Sequence, residues 1–224
     1  MASGTKDCDS DSGKEPDVSL EVSNIAGNAS SDVKAFVTNP LWIANSGTSF
    51  AIKIVKNIVV TEVSILPKNE EPLKKEARVV CEIAVTEDML NGGGKIHGGC
   101  SATLVDICTS YALIAYNMAV IGEPTPSVSQ AINMVYHSPA NLGDKLKIVS
   151  TTMSVGARAM SARCEIWNTS QHKLVASDIV IRLSYDTPRL SYCKYIYYCR
   201  FIYSDTSVRG SAHPPGKILT WLVV

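Results

Sequence analysis

Between Gly98 and Ala119 the chain carries one continuous run of small and apolar residues, GGCSATLVDICTSYALIAYNMA, in which the only charge is Asp106. A helix that is apolar on nearly every side must be enclosed, because a helix lying on a surface keeps a polar stripe toward water. The run is also about long enough to cross a bilayer, for which roughly 20 apolar residues suffice. Asp106, Thr109, Ser110 and Asn117 argue against that reading, since a carboxylate at a bilayer centre costs about 2.5–3.5 kcal/mol even on insertion scales. The expectation is therefore the central helix of a soluble core, with no membrane span.

The flanking segments decide what encloses it. IVVTEVSIL at 58–66 and ARVVCEIAV at 77–85 read as strands, the first closed by Pro67 and a charged turn. Four more follow the helix, at 127–137, 145–155, 158–168 and 173–184, separated only by short polar or glycine-containing turns. Lys145 and Lys147 alternate with Leu146 and Ile148, so that strand has two unlike faces. Short connections suit neighbouring antiparallel strands and exclude helical crossovers. The pattern predicts an α+β domain, an antiparallel sheet curved around one long helix.

At 224 residues and 46% hydrophobic content, one substantial core is affordable in sequence. Lysine plus arginine equals aspartate plus glutamate at 21 each, so no bulk field favours nucleic acid, and an anionic ligand must be met by local groups. Seven cysteines, an odd number without paired short spacings, predict reduced thiols, no metal site and an intracellular, cytoplasmic setting. Residues 1–30 are polar and acidic, which predicts a disordered N-terminal segment and no secretory leader. Residues 31–56 form a lead-in of uncertain structure, in which Ser31 or Asp32 caps a short helix that ends before Asn39 and Pro40. The domain proper is expected over 57–184. In the 185–224 tail, six of the nine tyrosines crowd without alternation. That tail reads as an extra strand, a partner-binding element or sequence with no evolved structure.

Chemistry concentrates where the glycine-rich segment NGGGKIHGG, at 91–99, meets the helix. A helix N-terminus offers free amides and partial positive charge, so Gly98 and Gly99 are placed to hold a developing oxyanion. Asp106, alone in an apolar helix, is either a functional carboxylate or a buried structural acceptor. Thr103, Asp106 and Ser110 fall on one stripe that must face something polar, which a cleft between two subunits would supply. His97 reads more readily as an organiser of the loop backbone than as a general base. Taken singly, Ser129 and Asn133 are ordinary strand polars, and Cys100 and Cys108 small core residues.

The segments NGGGKIHGGCSATLVD and VSQAINMVYHSPANLGDKL together resemble the hotdog-fold thioesterases of the PaaI-like acyl-coenzyme A thioesterase superfamily. The likeness rests on an asparagine six residues before HGG, an aspartate nine residues after that histidine, and a strand ending in Tyr-x-Ser-Pro-Ala. It implies a hotdog fold, hydrolysis of acyl-coenzyme A, and homodimers or homotetramers with sites between subunits. It also implies roles in lipid metabolism, with coenzyme A as part of the substrate and no separate cofactor. By the same resemblance Gly98 supplies the amide that binds the thioester carbonyl, and Asp106 is the catalytic acid, acting on water or attacking directly. Asn91 helps orient water or substrate, Ser129 supports the carboxylate and water, and His97 organises the loop. Coenzyme A contacts are implied at Tyr136, Ser138, Pro139, Ala140 and Asn141, and at Gly156, Arg158 and Ser161, with Arg158 as a phosphate partner. Two other outcomes remain: a non-catalytic acyl-coenzyme A binder, or a hotdog dehydratase that pairs a histidine with a carboxylate.

Overall fold

A computed structural model describes residues 22–39 and 50–184. The expectations for 1–21 and for the 185–224 tail fall outside the described residues. Six strands form one antiparallel sheet: β1 (Val59–Pro67), β2 (Lys75–Ala84), β3 (Ser127–Tyr136), β4 (Lys145–Val155), β5 (Ala159–Asn168) and β6 (Lys173–Ser184). Helices α1 (Ser31–Thr38), α2 (Ile52–Lys56) and α3 (Gly98–Val120) accompany them.

The sheet order is β1-β2-β4-β5-β6-β3. After β2 the chain turns through a short 3-10 segment, Glu87–Met89, crosses the sheet as α3, and returns as β3 at the far edge. β4 then comes back beside β2, and β5 and β6 fill the space up to β3. Among the described residues β3 is paired on one side only, to β6.

The alternation expected in β4 is present. Leu146 and Ile148 are fully buried while Lys145 is exposed. The same phase in β6 turns Ala176, Asp178, Val180 and Arg182 inward and leaves Ile179, Ile181 and Leu183 exposed. The core is built where α3 presses Leu104, Val105, Cys108, Ala112 and Ala115 against Val63, Val79, Cys81, Ile148, Ile166 and Val180. The small residues let helix and sheet approach closely, and each enclosed Leu or Ile stabilises by about 1.5–3 kcal/mol. Thr109 is buried in the same interface, but its hydroxyl donates to Val105 O at 2.8 Å, so no polar group is stranded there. α3 is long and apolar enough to cross a membrane by length and composition, and it is here the helix that the sheet wraps.

Residues 22–30, expected from composition to be disordered, lie along β1 instead. Ala26 N donates to Thr61 O at 3.0 Å and Val63 N to Ala26 O at 2.9 Å, and the Asn28 side chain clamps the backbone of Ile65 on both sides. Gly27 makes this approach possible: its φ is +93°, and a Cβ there would stand 2.2 Å from Val63 O. Polar composition suggested too little burial, yet Ile25 reaches the core and backbone hydrogen bonds do the rest. The helix cap also differs by one position. Ser30, extended at ψ 158°, accepts from Val33 N, so the cap precedes Ser31 and Asp32. α1 then buries Val33 and Val37.

Candidate active site

The loop before α3 is held at three points. Asn91 N donates to Lys95 O at 2.7 Å, Ile96 N to Ala140 O at 2.9 Å and His97 N to Met89 O at 2.8 Å. The Asn91 side-chain oxygen accepts from the amides of Gly93 and Lys95, closing the glycine turn on itself and leaving its Nδ2 facing outward. His97 caps α3: its Nδ1 accepts from Gly99 N at 2.9 Å, which leaves the neutral ring's proton on Nε2. The Gly98 amide has no intrahelical acceptor and meets none among the described residues. It is a free donor at the positive end of the helix.

Tyr136, the last residue of β3, stands against that helix end. Its hydroxyl donates to Gly98 O at 3.0 Å, and a Cβ on Gly98 would meet the ring at 3.3 Å. Asn141 is tied to the loop as well, through Lys95 Nζ and a backbone bridge. Asn91, His97, Gly98, Tyr136 and the 138–141 turn therefore share one wall. Two of the expected ligand contacts are committed to structure. The Ser138 hydroxyl donates to Leu174 O, and Ala140 is fully buried with its carbonyl taken by Ile96. Ala140 offers no side-chain contact to a ligand, because the turn needs it inside.

Asp106 lies elsewhere. Eight residues along α3 from Gly98, it is displaced by about 12 Å along the helix axis. Ser129 Oγ donates to its Oδ1, and Arg182 Nη1 reaches the same oxygen at 2.6 Å. A bulge between Ser129 and Ala131 sets that serine opposite Arg182 in the β3–β6 register. The remaining expected residues sit toward this end: Arg158 O accepts from Ser184 N at 2.9 Å, and Ser161 pairs with Ile181. Arg158 is exposed and Ser161 partly so. Ser129 and Tyr136 are separated by seven strand residues, about 23 Å. One chain thus brings the candidate residues together in two groups, at opposite ends of β3, and not in one.

The polar stripe on α3 reduces to Asp106, because Thr103 and Ser110 spend their hydroxyls on helix carbonyls, Gly99 O and Asp106 O. Arg182 was missed. Its signal was an arginine in phase with the buried positions of the last strand, two residues beyond Val180 and four beyond Asp178. Asp178 is also buried, with neither carboxylate oxygen reaching a hydrogen-bond partner. Burial, and secondarily the Asp106 charge, push its carboxyl above the ordinary range; the nearby Ile179 and Asn133 amides offset only part of this. Three of the described thiols are poor nucleophiles: burial pushes Cys100 up to about 11 and Cys164 to about 12, and contact with Cys81 together with burial raises Cys108 well above the ordinary thiol range. No cluster able to hold a metal ion occurs among the described residues.

Residues 93–175 match the model of a family described as the thioesterase superfamily. Acyl-coenzyme A thioesterase 13 of Pongo abelii and of Homo sapiens are each 33% identical over 99 residues, covering 44% of this chain and 67% of the relative. The chain belongs to the thioesterase superfamily. The crystal structure of zebra fish thioesterase superfamily member 2 superposes with a TM-score of 0.53 at 25% identity, over 67% of this chain and 96% of that one. Thioesterase superfamily member 2 of Mus musculus matches with a TM-score of 0.50 at 23% identity, over 68% and 94%. The wrapped-helix architecture is thus the hotdog fold of this superfamily. Within the matched thioesterase segment fall Gly98, Asp106, Ser129 and Tyr136; Asn91 and Arg182 lie just outside it.

Proposed function

We propose that the domain hydrolyses acyl-coenzyme A thioesters, turning R-CO-S-CoA and water into a carboxylic acid and free coenzyme A, at sites shared between two copies of the chain. The observation that supports this reading is that the two groups of candidate residues lie at opposite ends of β3, a strand paired on one side only among the described residues. The unpartnered Gly98 amide stands at one end and the Asp106 carboxylate, held by Ser129, at the other. A two-fold axis near the middle of β3 pairs the edge left unpaired among the described residues with its own antiparallel copy. Each Gly98 then faces the partner subunit's Asp106 across one shared cleft.

In that cleft the thioester carbonyl accepts from Gly98 N–H, where the helix dipole favours the charge that builds on oxygen. Asp106 either takes a proton from the attacking water or attacks the carbonyl itself; in both routes the thiol leaves from the tetrahedral adduct. Ser129 and the outward amide of Asn91 position water and substrate, and His97 keeps the loop in register. Tyr136, Pro139 and Asn141 form the wall for the coenzyme, and Arg158, from the other end, is the candidate for a phosphate group. No metal or redox group is called for. The names of the relatives, acyl-coenzyme A thioesterases, agree with this substrate class.

The test is thiol release from a panel of acyl-coenzyme A substrates, by the full chain and by a version ending at Ser184. Activity that falls by at least about a thousandfold in Asp106→Asn, with the fold intact, supports the reading. Binding without thiol release would make the chain a non-catalytic acyl-coenzyme A binder.

A further inference from the structure

Arg182 is buried to 8% exposure, yet it carries a full charge and lies on β6 directly opposite Ser129, with no chemical role so far assigned to it. Its guanidinium makes four contacts. Nη1 donates to Asp106 Oδ1 at 2.6 Å and to Asp106 O at 3.3 Å, Nε to Ser127 Oγ at 3.1 Å, and Nη2 to Ser127 O at 3.4 Å. The fork is thereby fixed to β3 by Ser127 and to α3 by Asp106. A planar, five-donor group suits this task; an ammonium does not hold two elements in one orientation.

The distribution over the two carboxylate oxygens is unequal. Ser129 and Arg182 both take Oδ1, whereas no described residue donates to Oδ2. The Asp106 side chain is 40% exposed although that of Arg182 is only 10% exposed, so the carboxylate is anchored from the inside and still keeps an accessible side. We propose that Arg182 is a positioning residue, which pins Oδ1 and thereby makes Oδ2 of Asp106 the oxygen that meets water or the acyl carbon. This rests on the thioesterase reading above and adds to it the choice of reacting atom and the group that makes the choice. A carboxylate free to rotate about its last bond spends much of its time with the reacting oxygen misdirected, and small misplacements of this kind cost about a hundredfold in rate.

The experiment compares Arg182→Met, Arg182→Lys and Arg182→Ala with the unaltered chain and with Asp106→Asn, measuring kcat and KM by thiol release and folding by thermal melting. The expected result is a fall in kcat of roughly ten- to a hundredfold in the Met variant, with KM within about twofold. The Lys variant recovers part of kcat, and added guanidinium ion raises kcat of Arg182→Ala while leaving the unaltered chain and Asp106→Asn unmoved. If Arg182→Met does not fold, Arg182→Gln takes its place. A folded Met or Gln variant with unaltered kcat overturns the proposal, and so does a loss of kcat that tracks lost folded protein and is rescued by neither lysine nor guanidinium. If instead the unaltered chain releases no thiol, or Asp106→Asn is as active as the unaltered chain, it is the thioesterase reading that fails.

Discussion

Ser129 on β3 and Arg182 on β6 are direct cross-strand partners, and both turn their side chains to the same oxygen of Asp106. The sheet register thus fixes how a helix carboxylate is held. Ser129→Ala removes one hydrogen bond to a charged group, worth about 1.5–3 kcal/mol. The expected outcome is a roughly ten- to hundredfold fall in kcat at nearly constant KM, read by steady-state thiol release, with the melting temperature changed by only a few degrees.

Asp178 sets a pH dependence of stability. Its carboxyl titrates above the ordinary range in the folded protein because burial disfavours the charged form. Below about pH 4 folded and unfolded chains both hold the proton and nothing is lost. As pH rises, the unfolded chain releases its proton first, so stability falls until the folded-state value is passed. Asp178→Asn removes this slope. Thermal melts near pH 4 and pH 7 check it: the variant gains on the parent at the higher pH and little at the lower, and parallel curves would contradict the assignment.

Gly27→Ala tests the packing of residues 22–30 on β1. Positive φ and a Cβ 2.2 Å from Val63 O leave no room for a side chain. The segment must lift, at a cost of about 1–3 kcal/mol. Denaturant titration measures the loss, and hydrogen exchange at Ala26, Ala29 and Val63 reports whether the segment has come away.

Gly98→Ala keeps a helical backbone but brings a methyl to 3.3 Å from the Tyr136 ring. Tyr136 must shift, and under the proposed function the oxyanion donor and the coenzyme wall shift with it. Both kcat and KM are expected to change for worse, by at least about tenfold together in kcat/KM, while stability moves by less than about 1 kcal/mol. Tyr136→Phe, which loses only the hydroxyl bond to Gly98 O, should show a smaller effect on the same measurements.

The fold was legible because its signals are periodic. Alternation in β4 and β6 and an apolar run of helix length in α3 survive any tertiary detail, so the elements fall within a few residues of where periodicity puts them. What escaped depends on approach and phase. The packing of residues 22–30 turns on a single missing Cβ at Gly27, and Ala140 is buried because a backbone bond to Ile96 draws its turn inward. Neither fact has a periodic signature. At the site, the grouping of Gly98 with Asn91 and His97 follows from adjacency in the chain. That Ser129 supports the Asp106 carboxylate came with the resemblance, whereas the arrival of Arg182 at the same oxygen needs the β3–β6 register and the bulge after Ser129, which no spacing rule reports.

The placement of the two residue groups at opposite ends of β3 has a genetic consequence under the proposed assembly. A chain damaged only in its glycine loop and another damaged only at Asp106 are each inert alone, but a mixed pair owns one intact cleft alongside one that carries both lesions. Two dead alleles would then complement, and activity restored by co-refolding them would be the mark of a site that no single polypeptide possesses.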